Sequence, residues 1–239
     1  MDNENVFLMG HSAGSHIIVE YLKHHCNKVK GQIMLSPVDG FDPFGLVDMF
    51  AITPGEYLNY ETPGLVIMTG LDNTPGSHII GGLTPACAPD DLSNTRFYNA
   101  MPGNTWLVNA TVYGHGDLLD ELYYDAMTVS QTLSNISRLF ISQLIHFCGT
   151  DKTQDRVTYR DFIAGEIVSF LNAILTGDCD QLKYIEVRKL YYNPAYYVFI
   201  KDPTDMTVAA TVMKKESVTG SEWKCGMPTF CNWREDPYP

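Results

Sequence analysis

A short buried strand runs straight into Gly10-His11-Ser12-Ala13-Gly14, and an amphipathic helix starts at once behind it. This arrangement narrows what the chain can fold into more than any other feature. Val6-Phe7-Leu8-Met9 is apolar throughout and ends on glycine, so it reads as a strand covered on both faces. Ala13 to His25 carries Ile17, Ile18, Tyr21 and Leu22 at helical spacing. Passing from strand to helix in so few residues requires a tight, strained turn. Glycines on either side of Ser12 remove Cβ atoms that would meet neighbouring chain. Such a turn leaves the serine hydroxyl exposed at the N-terminus of a helix, where the Ala13 amide is placed to donate to an oxyanion. Alone, G-x-S-x-G also suits a glycine turn capped by Ser12. The strand before it and the helix after it favour a nucleophile.

Three further buried strands are expected: Gly31–Leu35, Gly64–Thr69 and Thr105–Tyr113. Apolar strands alternating with helices imply a mostly parallel sheet covered on both faces, an α/β architecture. Residues 160–175 place Phe162, Ile163, Ile167, Phe170, Leu171 and Ile174 at helical spacing, and Gly177 stands where a helix stop belongs. Composition changes after Asp178. Residues 180–239 hold eight basic and eight acidic residues, so the whole net charge of −12 lies upstream of them. Apolar and polar residues alternate in 183–190, 196–201 and 207–213, which predicts a small antiparallel β appendage.

A nucleophilic serine needs a base and an acid that orients the base. Of seven histidines, His115 alone lies between glycines just after a predicted strand, in Val112-Tyr113-Gly114-His115-Gly116-Asp117. Two aspartates compete for the acid. Asp72 follows the strand 64–69, and Asp39 follows the strand 31–35 in Ser36-Pro37-Val38-Asp39-Gly40. Both also suit an ordinary turn aspartate, so the choice stays open. The acidic charge argues against nucleic acid as a partner. No apolar run is long enough for a transmembrane helix. No cofactor is called for, and no Cys/His cluster has the spacing of a zinc site. The first residues, MDNENVFLMG, are acidic where a secretory signal is basic. Six cysteines and two sequons, at Asn109 and Asn135, tilt the reading slightly toward a secreted protein.

Taken in order, these segments resemble the chlorophyllase family. Gly10–Gly14 looks like that family's G-H-S-R-G-G, and Pro37-Val38-Asp39-Gly40 like its D-P-V-x-G. Thr69-Gly70-Leu71 matches a small-Gly-Leu after the next strand. Pro85-Ala86-Cys87-Ala88-Pro89 is similar to P-P-C-A-P, and residues 113–120 to Y-G-H-x-D-x-L-D. Residues 162–178 are similar to the family's final helix. The resemblance implies the C-terminal half of an α/β-hydrolase fold over residues 1–179, with residues 180–239 as the β-rich appendage. It implies a serine-dependent ester hydrolase whose substrate is a hydrophobic ester. Chlorophyll, cleaved to chlorophyllide and phytol, leads; lipid esters, as in a lipase or acetylhydrolase, come second. The sequence departs from the pattern in three places. Ala13 replaces the arginine after the nucleophile, Ser36 replaces the first aspartate of D-P-V, and the appendage matches nothing in the plant family. The second departure leaves Asp39 and Asp72 as the candidate acids. Four strands normally precede such an elbow, so the chain reads as a fragment of a longer product. A non-catalytic binding module, using the aromatic-rich appendage, is the rival from another class.

Overall fold

The computed structural model describes residues 5–40, 50–74, 86–119, 155–182, 185, 208 and 210–215. Its elements are β1 (Phe7–His11), α1 (Gly14–His25), β2 (Gly31–Leu35), β3 (Gly64–Thr69), α2 (Thr95–Ala100), β4 (Thr105–Ala110), α3 (Arg156–Thr176) and β5 (Ala210–Lys215). The five strands form one sheet in the order β1-β2-β3-β4-β5. The first four run parallel, and β5 runs antiparallel to β4. This is a mixed α/β sheet with helices on both faces.

The buried residues fall into two cores separated by the sheet. Ile18, Val19 and Leu22 of α1 pack with Met34, Val66, Leu107 and Phe97 on one face. Ile163, Phe170 and Ala173 of α3 pack with Ile33, Leu65, Ile67, Trp106 and Val108 on the other. Adjacent strand residues therefore serve opposite cores, which is why these strands are apolar without alternation. Each such fully buried aliphatic side chain stabilises the fold by roughly 1.5–3 kcal/mol. Helix α1 buries Ser15, Ile18, Val19 and Leu22. Ile17 and Tyr21, expected on its inner face, are 68% and 42% exposed. They project about 100° from Ile18 and Leu22, and the serine at 15 completes the buried stripe. Helix α3 begins on Asp155, whose side chain accepts from the Val157 and Thr158 amides. It ends on Gly177, left-handed at φ 70°.

Two expectations change. The strand foreseen at 207–213 is β5, and it extends the main sheet instead of belonging to a separate one. The other strands expected in the appendage, 183–190 and 196–201, lie outside the described residues. Asn109, the first sequon, lies inside β4 with Met68 and Thr211 as its strand partners and its Oδ1 buried. A glycan acceptor needs a surface loop, so the folded chain offers none there. Asn135 lies outside the described residues. Cys26 and Cys87 are both disulfide-bonded.

The parallel register brings the carboxyl ends of four strands to one edge of the sheet. His11 pairs with Leu35, Leu35 with Ile67, and Thr69 with Ala110. Ligands of open α/β sheets bind at this end. The loops that leave it are pinned to one another. Ser12 N–H donates to Leu35 O at 3.0 Å, Ser36 N–H to Ile67 O, and Leu71 N–H to Tyr113 O at 3.0 Å. Gly70 is held so close to the next loop that a Cβ on it would lie 2.1 Å from Thr111 O.

Candidate active site

Ser12 has φ 55°, in the left-handed region that non-glycine residues rarely occupy. The strain follows from the turn. The Ser12 N–H still bonds β2, while its carbonyl already accepts from Ser15 at 3.0 Å and from Val38 at 3.2 Å. Gly10 is required here, since a Cβ on it would lie 2.8–2.9 Å from Gly14 backbone atoms and the Ile18 side chain. Gly14, expected to be needed for the same reason, has open space where its Cβ would go. The crowding is one-sided because α1 crosses over residue 10 while residue 14 already lies on the helix. Ala13 stands at the N-terminus of α1 as its cap residue. Among the described residues no backbone carbonyl accepts its N–H.

His115 reaches the same edge from the loop after β4. Its ring is 4% exposed. Tyr113 anchors that loop: it stacks on Tyr159 of α3 at 4.2 Å between ring centroids, and its hydroxyl donates to Asp155 O at 3.3 Å. Asp117 Oδ2 accepts from the Gly114 N–H at 2.8 Å and closes the turn.

The two candidate acids occupy different places. Asp72 Oδ1 lies 3.0 Å from His115 Nδ1. Its Oδ2 accepts from the Thr69 N–H at 3.0 Å and from the Asn94 side-chain amide at 2.9 Å. Burial works against its charge, but the hydrogen bond and charge of His115, with the Thr69 N–H, outweigh burial and hold the carboxyl below its usual range. Asp39 is fully buried in a separate network. Its Oδ1 pairs with His16 Nδ1 at 3.0 Å and its Oδ2 with Arg96 Nε at 3.0 Å. The Ala51 and Ile52 amides donate to its two oxygens at 2.8 and 3.0 Å. Asp39 thus ties α1 and α2 to the chain at 51–52, and both its oxygens are engaged away from His115. Ser36 is buried and left-handed at φ 42°.

Two further residues reach the pair without having been singled out in the sequence. One is Asn94. The other is His11, whose ring lies 4.8 Å from that of His115 and whose Nε2 is 3.1 Å from the His115 carbonyl oxygen. That carbonyl can only accept, so Nε2 carries the hydrogen. Burial, then the neighbouring His115, lower the His11 pKa to about 4. Neutral His11 therefore sits beside His115 across the ordinary pH range. The adjacency of His11 to Ser12 in the sequence was the only available signal.

A histidine whose pKa drops on folding binds fewer protons folded than unfolded. Stability then rises with pH between the folded value of about 4 and the unfolded value of 6.5, and is lost on acidification through that window. Glutamine keeps a donor toward the His115 carbonyl but does not titrate. We expect His11→Gln to show a smaller drop in melting temperature between about pH 7 and pH 5 than the parent chain. An equal or steeper drop would exclude His11 as a source of acid sensitivity.

The chain matches the Chlorophyllase family model over residues 1–197. It is 28% identical over 186 residues to "Chlorophyllase-2" of Arabidopsis thaliana, covering 75% of this chain and 52% of that protein. It is 26% identical over 185 residues to "Chlorophyllase type 0" of Chenopodium album, covering 74% of this chain and 46% of that protein. The chain spans about half the length of these curated relatives. The match covers most of the chain and takes in Ser12, Asp72 and His115: the chain belongs to the chlorophyllase family.

Proposed function

We propose that this chain carries the catalytic half of a serine-dependent carboxylic ester hydrolase with an α/β-hydrolase fold. The observation that carries the reading is the Asp72–His115 hydrogen bond at the sheet edge where strained Ser12 emerges. Ser12 Oγ attacks the ester carbonyl and His115 Nε2 takes its proton. His115 then returns that proton to the leaving alcohol, and an acyl-enzyme forms on Ser12. Water attacks the acyl-enzyme in the second half-reaction, with His115 again as base. Asp72 holds Nδ1–H, so that Nε2 is free to accept, and stabilises the imidazolium. The Ala13 amide donates to the oxyanion, and the α1 N-terminus adds to the favourable field.

The substrate in this reading is a hydrophobic ester. Chlorophyll leads, cleaved to chlorophyllide and phytol, because the relatives are named chlorophyllases. Chlorophyll, phospholipid and short p-nitrophenyl esters should be compared as substrates, each with a Ser12→Ala control. Release of chlorophyllide that depends on Ser12 is the expected result. Phospholipid turnover without chlorophyllide would leave the serine chemistry in place and replace the substrate. Turnover unaffected by Ser12→Ala would remove both.

A further inference from the structure

Asn94 carries three energetic penalties at one buried position. It is 4% exposed, and its backbone is left-handed at φ 35°, ψ −87°. Only Ser12 and Ser36 share a positive φ among the described non-glycine residues. It is the N-cap residue of α2, yet its side chain caps nothing, although asparagine is among the strongest capping residues. Among the described residues, its buried Oδ1 has no hydrogen-bond partner. Against these stands one bond, from Nδ2 to Asp72 Oδ2 at 2.9 Å. The amide orientation is unambiguous, since the reverse would set an oxygen against a carboxylate. The backbone is held from several sides. Asn94 N–H donates to Pro37 O at 3.2 Å, its carbonyl accepts from Tyr98, and Ser93 bridges to Val38. Strain that the surroundings enforce at a buried polar residue is a sign of function.

We propose that Asn94 is a positioning residue: its amide, turned away from the helix it would cap, fixes Asp72 so that Oδ1 faces His115. With Thr69 N–H it occupies both lone pairs of Oδ2 and leaves Oδ1 as the only oxygen for the imidazole. This inference rests on the reading of Asp72 and His115 as acid and base. The titratable groups around the pair are His115 and His11 at the strand ends, Asp117 in the histidine loop and Tyr159 of α3. Arg96, two residues on, is committed to Asp39 and to the carbonyls of Asp91 and Ile52.

Two substitutions, made in the full-length protein, test it. Asn94→Gly removes the donor and relieves the positive φ, so folding is not the weak point. Its melting temperature should hold or rise while kcat on a p-nitrophenyl ester falls about ten- to a hundredfold, the size of one hydrogen bond to a charged group. KM should change less than about twofold, since no substrate contact is lost. Asn94→Asp sets a second carboxylate against Asp72, and the two must share a proton. At low pH that proton replaces the amide donor. As pH rises and it leaves, kcat/KM should fall along an alkaline limb that the parent lacks. Nitrogen-15 NMR of the His115 imidazole gives a readout independent of turnover, and the Nδ1–H signal should exchange faster in Asn94→Gly. If Asn94→Gly keeps parental kcat and the parental imidazole signal, or Asn94→Asp shows no alkaline limb, Asn94 is a structural turn and the proposal fails. If Ser12→Ala leaves turnover unchanged while the imidazole signal still responds to Asn94, the catalytic reading has failed and the positioning stands.

Discussion

In the full-length protein, asparagine in place of Asp72 is expected to slow the proposed ester turnover by about four orders of magnitude, with little change in melting temperature. The size of the effect follows from the donors around the carboxylate. Thr69 N–H and the Asn94 amide both donate to Oδ2. An amide at position 72 must put its oxygen there, which turns its NH₂ toward His115 Nδ1. That nitrogen can then only accept, the ring hydrogen moves to Nε2, and the ring can no longer take the proton of Ser12. The shape of the site survives while its tautomer is reversed. Steady-state kinetics of Asp72→Asn, beside Asp39→Asn, separates the two candidates. A loss below about tenfold for Asp72→Asn would remove it as the acid.

The second large effect concerns stability and belongs to Asp39. Removing a fully buried carboxylate leaves Arg96 and His16 without the charge they face and the Ala51 and Ile52 amides without their acceptor. Breaking one side of such a network costs about 3–5 kcal/mol. In a chain of this size that lowers the melting temperature by roughly 10 °C. Asp39→Ala should show this by calorimetry, and at a temperature where it stays folded it should keep most of its kcat. A melting temperature within about 2 °C of the parent would mean that the network holds nothing together. Two aspartates that look alike in the sequence thus have opposite expected signatures, one in turnover and one in stability.

That likeness shows where the sequence stops being informative. Both residues follow a buried strand and stand in a turn, and local patterning carries nothing more. Asp39 is committed by His16 and Arg96, 23 residues before it and 57 after it, which only the packing of α1 and α2 brings together. The strands were legible because burial on both faces leaves an unbroken apolar run. Gly31–Leu35 and Gly64–Thr69 have the expected bounds. The elbow and the histidine loop were legible because a tight turn and a strand end leave glycines behind. Helix α2 was not, because six residues, Thr95–Ala100, are too few to show a period. Asn94 was hidden for a related reason, since asparagine ahead of a helix reads as a cap. The buried face of α1 was misjudged because Ser15 counts as polar, although its hydroxyl bonds the Gly10 carbonyl and lets it pack inside. Strand β5 was foreseen near its place, but its partner was not, since an alternating strand does not record which edge it joins.

The proposed chemistry requires Ser12 to be the nucleophile. The most direct measurement is labelling of the full-length protein with a fluorophosphonate, followed by mass-spectrometric mapping of the modified residue. Phosphonylation needs an activated serine, so the label should fall on Ser12. It should vanish in Ser12→Ala and drop sharply in His115→Ala and Asp72→Asn, because both weaken proton removal from the hydroxyl. Label that maps to another serine, or that persists in Ser12→Ala, would contradict the assignment.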